Sequence, residues 1–232
     1  MLTFVLDPNE TPGQRVARVA REAVATGPMG AYLQRERYAS FLDVWNLSYE
    51  DYSPLIDKLH SGAVLAGVKT SCAVDASAVW GYCGKKLRKP WRADGTWGIT
   101  SWLQVGFDHE SWVDALSLDL GEKRDKIAVG DVLYRGSKNG YNGHVVILVE
   151  KVGDLWITVE GGGNLTSAEQ KGMTASQIKA TSGTVMRESP KPKDIWDYDS
   201  SGRLPAGWWR TDKAGVPTYE EILEHLSDVN RG

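Results

Sequence analysis

The chain is predicted to fold as an α+β domain, with helices first and an antiparallel sheet after them. Three observations predict this. Val16, Val19, Ala20, Ala23 and Val24 recur at helical spacing near the start. Later, "KIAVGDVLYRG", "GHVVILVEKV" and "LWITVEGG" are rich in β-branched residues and separated by Gly-containing turns, as strands are. Strands and helices do not alternate, and no internal repeat is present, which argues against a doubly wound sheet.

The elements follow in order. "TPGQRVARVAREAVATGP" opens with a capping box (Thr11 and Gln14), has Pro12 at its first helical position and stops at Gly27-Pro28. Helical text continues around "YLQRERYASFLDVW" and "SPLIDKLHSG". "SCAVDASAVWGYCG" reads as an Ala-rich helix ending at Gly84, and "DHESWVDALSLDLG" as a further helix capped by Asp108 and closed by Gly121. The three strands come next, the last two joined by a tight turn near Gly153-Asp154. "TASQIKATSG" is expected to be a short helix boxed by Thr174 and Gln177, and "GTVMRES" one more strand. Residues Ser189 to Pro217 are expected to wrap the surface irregularly. A final helix starts at the Thr218/Glu221 capping box, with Ile222, Leu223, Leu226 and Val229 turned inward.

Composition excludes several functions. Net charge is -3 and the isoelectric point about 5.8, whereas a nucleic-acid binder normally carries a basic surplus or stripe. The longest basic cluster, "KKLRKPWR" (Lys85 to Arg92), is short and reads as a solvated face after a helix. No run of 18 apolar residues is present, so no membrane insertion is expected. "MLTFVLDPNE" lacks the basic start of a signal peptide, so the expectation is synthesis in the cytoplasm without one. Cys72 and Cys83, on one helix, would lie about 16 Å apart along its axis, beyond disulfide reach, so both are expected to be free. No CxxC or HxxxH spacing occurs among two cysteines and four histidines. No metal or other cofactor is expected.

Cys72 raises the chemical question, because it stands where loop residues give way to an apolar helix. A free thiol has a pKa of about 8.5; a helix N-terminus and a nearby imidazolium bring it to roughly 3.5–7.5, which makes thiolate available at neutral pH. A histidine must take the proton and return it to the leaving group, and a third polar group must orient that histidine. Of the four histidines, His60 ends a helix, where a protonated ring is stabilising. His225 lies among acids on the last helix, and His109 stands at a helix start. His144 is different: it opens the strand "GHVVILVE", whose following residues are apolar up to Val149.

Glu160 is the natural orienter, on the partner strand. Leu155, Ile157 and Val159 form one face of that strand, leaving Trp156, Thr158 and Glu160 on the other. A three-residue turn, Val152 to Asp154, puts position 144 opposite 162 and makes Glu160 its same-face diagonal neighbour. A two-residue turn would put 144 opposite 163 and send Glu160 to the wrong face. The plain alternative for Glu160 is an exposed strand carboxylate, and Asn164 is the reserve orienter. Asp75 reads as a first-turn acid favoured by the helix dipole, and Cys83 as core. Trp91, Trp97 and Trp102 are placed to wall a cleft, though core packing is the commoner use of tryptophan. The glycines of "EGGGN" suit a close backbone approach or a tight turn.

Taken in order, a Cys at a helix head, "GDVLY", "GHVVILVE" and a strand ending in a polar residue resemble the NlpC-type and CHAP group of papain-like cell-wall cysteine peptidases and amidases. The resemblance covers roughly residues 65 to 165. It implies a papain-like core, its nucleophile helix packed on an antiparallel sheet, with a helical N-terminal part (1–64) and an irregular C-terminal extension (166–232) in one catalytic domain. Cys72 would be the nucleophile, His144 the base and Glu160 the orienter. The implied activity is hydrolysis of amide bonds in peptidoglycan, in stem peptides or at the sugar–peptide amide, by a lytic or antibacterial effector. The implied partner is peptidoglycan or a peptide substrate; the expected lack of a signal peptide suggests phage lysis or a secretion system as the route to the cell wall or periplasm, with an immunity or delivery protein as a further partner. The NlpC-type "DCSG" is "SCAVD" here, with no Asp before the Cys and no Ser-Gly after it. Other outcomes of the same scaffold are a deamidase, transglutaminase or acyl hydrolase acting on a protein or lipid, and a non-catalytic Trp-lined wall-binding module.

Overall fold

A computed structural model of the protein describes residues 6–25, 72–85, 111–136, 143–181 and 185–229. Its helices are α1 (Pro12–Ala25), α2 (Cys72–Tyr82), α3 (Leu120–Lys126), α4 (Ala175–Thr181) and α5 (Tyr219–Val229). Its strands are β1 (Trp112–Asp114), β2 (Val132–Gly136), β3 (His144–Val152), β4 (Leu155–Gly163), β5 (Val185–Glu188) and β6 (Leu204–Trp209). They form one antiparallel sheet in the order β1-β6-β2-β3-β4-β5. The α+β class holds.

Local capping explains why several elements begin where they do. Thr11 and Gln14 exchange the two bonds of a capping box at α1, and Thr174/Gln177 and Thr218/Glu221 do the same at α4 and α5. At the end of α2, Lys85 N–H reaches Trp80 C=O and Gly84 N–H reaches Gly81 C=O, the paired closure that satisfies the last carbonyls of a helix. The segments around "YLQRERYASFLDVW" and "SPLIDKLHSG", with His60, His109, Trp91, Trp97 and Trp102, lie outside the described residues.

Both faces of the sheet are buried. α1 and α2 cover one, where Val16, Val19, Ala20, Ala76, Val79, Trp80 and Cys83 meet Val132, Val145, Ile147, Val149 and Val159. On the other, Leu133, Val146, Leu148 and Trp156 pack with Ile195 and Trp208. Trp156 and Thr158 are therefore core residues. Cys83 is fully buried, and burial pushes its thiol up to about 12. Cys83→Ala is expected to cost about 1 kcal/mol of stability through the void it leaves, read from denaturant unfolding, while Cys72 remains the residue that alkylates.

The structure corrects several expectations. The stretch Asp108–Gly121 is not one helix: Trp112–Asp114 pairs with β6, a 3-10 turn follows at Ala115–Ser117, and α3 begins beyond it. Short polar side chains divide it, since Asp114 accepts from Leu116 N–H and Asp119 makes its own capping box with Glu122. The irregular wrap at 189–217 contains β6, which lies inside the sheet between β1 and β2. Pro205 is tolerated there because, among the described residues, β1 pairs with 207–209 and leaves Pro205 beyond its end on that edge. Leu223 on α5 is 44% exposed, whereas Ile222 is fully buried and Leu226 partly so. Lys85 is buried, its ammonium donating to Ala214 C=O, so the first residue of the basic cluster is not on a solvated face.

Candidate active site

The "GD" before β2 has a structural task. Asp131 is buried, one carboxylate oxygen accepting from Ala128 N–H and the other from Thr211 N–H, each at 2.9 Å. This clamps the start of β2 to the end of β6, and β2 in turn sets the position of β3: Arg135 lies opposite His144.

The register of β3 on β4 then decides which side chain meets His144. The turn has two residues, Gly153 and Asp154, with Val152 opposite Leu155 and Gly153 at φ +60°. That conformation suits glycine, and by itself this turn sends Glu160 to the wrong face. An irregularity between Leu148 and Glu150 restores it, because Val149 has no partner and Ile147 falls opposite Val159. Continuing that register puts position 144 opposite 162. The expected pairing is reached by a shorter turn and a bulge, not by a three-residue turn.

His144 Nε2 lies 2.6 Å from Glu160 Oε2. The ring is also in side-chain hydrogen-bonding contact with Cys72. Cys72 is the first residue of α2 and is buried. An isolated thiolate there would be heavily penalised, so ionised sulfur requires its imidazolium partner. The structure thus brings Cys72, His144 and Glu160 together. Asn164, the reserve, is exposed, and its backbone C=O accepts from Arg187.

Charge follows from this geometry. Burial lowers the His144 pKa, but the bonds to Cys72 and Glu160 outweigh it and raise it to about 9. Glu160 is lowered to about 2, chiefly by its bond to His144, against its own desolvation and with help from Lys193. Lys193 Nζ stands 3.3 Å from Glu160 Oε1.

Asp75 is in the first turn of α2, as expected, and is buried there, 1% exposed and packed against the backbone of β4. A Cβ on Gly161 would stand 1.8 Å from Asp75 Oδ2 and 2.9 Å from Asp75 Cβ. The glycines of "EGGGN" begin inside β4, and Gly161 is what lets α2 approach it. Gly161→Ala is expected to cost about 1–3 kcal/mol and to lower Cys72 reactivity, since α2 must move and carries the sulfur with it. Thermal unfolding and alkylation rate measure the two effects.

Sequence reasoning missed two neighbours of the site. Lys193 is 33 residues beyond Glu160, in a segment with no periodic pattern. Tyr134 was within reach of sequence reasoning, because strand alternation puts it with Val132 on the helix-covered face. Burial and the nearby Cys72 charge both raise its pKa. Its ring joins Trp112 and Trp209 in an aromatic group, with centroids 4.7–6.4 Å apart. Trp209 is core, not part of a surface wrap. Among the described residues no cluster of His, Cys, Asp or Glu is arranged to hold a metal ion, and no helix is long and apolar enough to cross a membrane.

The fold and site define an α+β protein in which a helix-start cysteine, a strand histidine and a strand glutamate are joined by hydrogen bonds. Compared with protein-family models, curated proteins and solved structures, the chain matches none.

Proposed function

We propose that the protein is a cysteine hydrolase with a papain-like core that cleaves amide bonds in peptidoglycan, within stem peptides or at the sugar–peptide amide. The observation that carries this is His144, hydrogen-bonded to Cys72 and to Glu160, the latter at 2.6 Å. Such an arrangement supplies a nucleophile, a proton carrier and an orienter in one contiguous unit.

In this reading the Cys72 thiolate attacks the amide carbonyl carbon, and the Cys72 backbone N–H at the head of α2 helps hold the oxyanion. His144 gives its proton to the departing amine, leaving an acyl-enzyme thioester. Water, deprotonated by His144, then hydrolyses that thioester and restores the thiol. Glu160 keeps the ring oriented throughout. The choice of peptidoglycan rests on the resemblance of "GDVLY…GHVVILVE" to NlpC-type and CHAP sequences. A lytic or antibacterial role rests on the same resemblance, with a delivery or immunity protein as a further partner.

Digesting purified peptidoglycan and identifying the fragments by mass spectrometry tests the reading. New amine termini within stem peptides, or free stem peptides, are expected from the parent and not from Cys72→Ala. An intact wall, together with Cys72-dependent release of ammonia or acyl groups from a protein or lipid, would replace it with a deamidase or acyl hydrolase. Failure of Cys72 to alkylate faster than an ordinary thiol at pH 6 would favour a binding module.

A further inference from the structure

We propose that Lys193 tunes the charge of the Cys72–His144–Glu160 unit, pairing with Glu160 Oε1 so that His144 receives only part of the carboxylate's charge. The inference rests on the hydrolase reading for its purpose but not for its test. The geometry is specific. Lys193 Nζ is 3.3 Å from Glu160 Oε1 while His144 Nε2 is 2.6 Å from Oε2, so the two cations divide one carboxylate. Lys193 is not free to drift away, because its backbone exchanges two 2.9 Å bonds with Trp156, four residues before Glu160 on β4. The segment carrying it continues into Ile195, which is fully buried against Trp156 and Trp208.

Among the described residues, two arginines that face Glu160 and His144 across the sheet make their bonds elsewhere, and Asp75 on α2 is packed against Gly161. Arg187 on β5 lies opposite Glu160, but its guanidinium binds Glu169 at 2.6 and 2.8 Å and the Asn164 carbonyl at 3.0 Å. Arg135 on β2 lies opposite His144, yet its guanidinium donates to the carbonyls of Ile195, Asp197 and Arg203. Asp194, beside Lys193, accepts from Trp196 N–H. Cys72 faces the ring of His144 from α2. Among the described residues, Lys193 is thus the cation besides His144 within bonding distance of Glu160.

The consequence has a definite sign. The Glu160 backbone is held in its strand between β3 and β5 and its Oε2 stays bonded to His144, so losing Lys193 does not part the carboxylate from the ring. Losing the ammonium returns the whole negative charge to His144 and makes the imidazolium harder to deprotonate. A ring that binds its proton too firmly is a poorer donor to the leaving amine, and sharing the carboxylate offsets this.

The test is the imidazole titration of His144, followed by NMR in Cys72→Ala, where no substrate or sulfur charge intervenes. Lys193→Met is expected to raise the His144 pKa by about half a unit, given the partly exposed position of both groups. Lys193→Arg should leave it near the parent value, and Glu160→Gln should lower it. With sulfur present, the basic limb of the kcat/KM profile on a cleaved substrate should rise with Lys193→Met by a similar amount. An unmoved titration would make the contact an ordinary surface pair. A lowered one would mean that Lys193 merely keeps Glu160 in place, and either result overturns the proposal. A raised titration in a protein that cleaves no wall substrate would leave this inference standing and defeat the peptidoglycan reading instead.

Discussion

Cys72→Ala is expected to reduce turnover by about 10⁴-fold or more while the protein stays folded, and His144→Ala to reduce it about as far. Cys72 is small, and it lies at the first turn of α2, where alanine is well tolerated. Its replacement therefore removes sulfur without opening a large cavity. The double variant should be scarcely worse than either single one, because a nucleophile and its base act as a unit and their losses do not add. Initial rates on peptidoglycan fragments, with circular dichroism as the folding control, give the comparison. Two independent partial losses that multiply in the double variant would show that the residues do not act together, and the proposed chemistry would fall with them.

Glu160→Gln is expected to lower the His144 pKa by about one unit or more, since a carboxylate in direct contact is exchanged for a neutral amide. The basic limb of activity should move down from about 9 accordingly. Stability should respond in a defined window. His144 is raised from 6.5 to about 9, so its contribution is complete below pH 6.5 and lost as pH rises through 9. Glu160 is lowered from 4.5 to about 2, so its contribution is complete above pH 4.5 and lost as pH falls towards 2. The variant should thus be most destabilised between pH 4.5 and 6.5, by about 1 kcal/mol once the partial exposure of Glu160 is allowed for, and least at pH 9 and above. Urea unfolding at pH 5.5 and at pH 9.5 separates the two conditions. Asn164→Ala, at an exposed position, should shift neither the pH profile nor the unfolding curve. If it moves both while Glu160→Gln moves neither, Asn164 is the orienter and the β3–β4 register drawn here is wrong.

Some features of this protein were legible in its residues alone. The capping pairs Thr11/Gln14, Thr174/Gln177 and Thr218/Glu221 each mark a helix start, because a side chain and a backbone N–H three residues apart are already in reach. The β-branched runs at 132–136, 144–152 and 155–163 are strands for an equally local reason, since branching at Cβ suits the pleat. The nomination of Cys72, His144 and Glu160 needed only their residue types and their places on those elements.

What decided whether they meet was tertiary. A two-residue turn and a bulge at Val149 act together to put Glu160 on the side of His144, and nothing in the run of apolar residues reveals a bulge, because an unpaired residue in a strand looks like any other. β6 was hidden for a related reason: "LPAGWW" carries Pro and Gly, which local propensity reads as loop. It becomes a strand because β1 and β2 supply its partners and Trp208 and Trp209 are buried between layers. Lys193 reaches Glu160 only through that fold, its backbone pinned to Trp156 from 37 residues farther along the chain. Local chemistry determined which groups this protein holds. Burial of both faces of one sheet determined which of them touch, because a strand's register is fixed by partners and packing that lie far away in sequence.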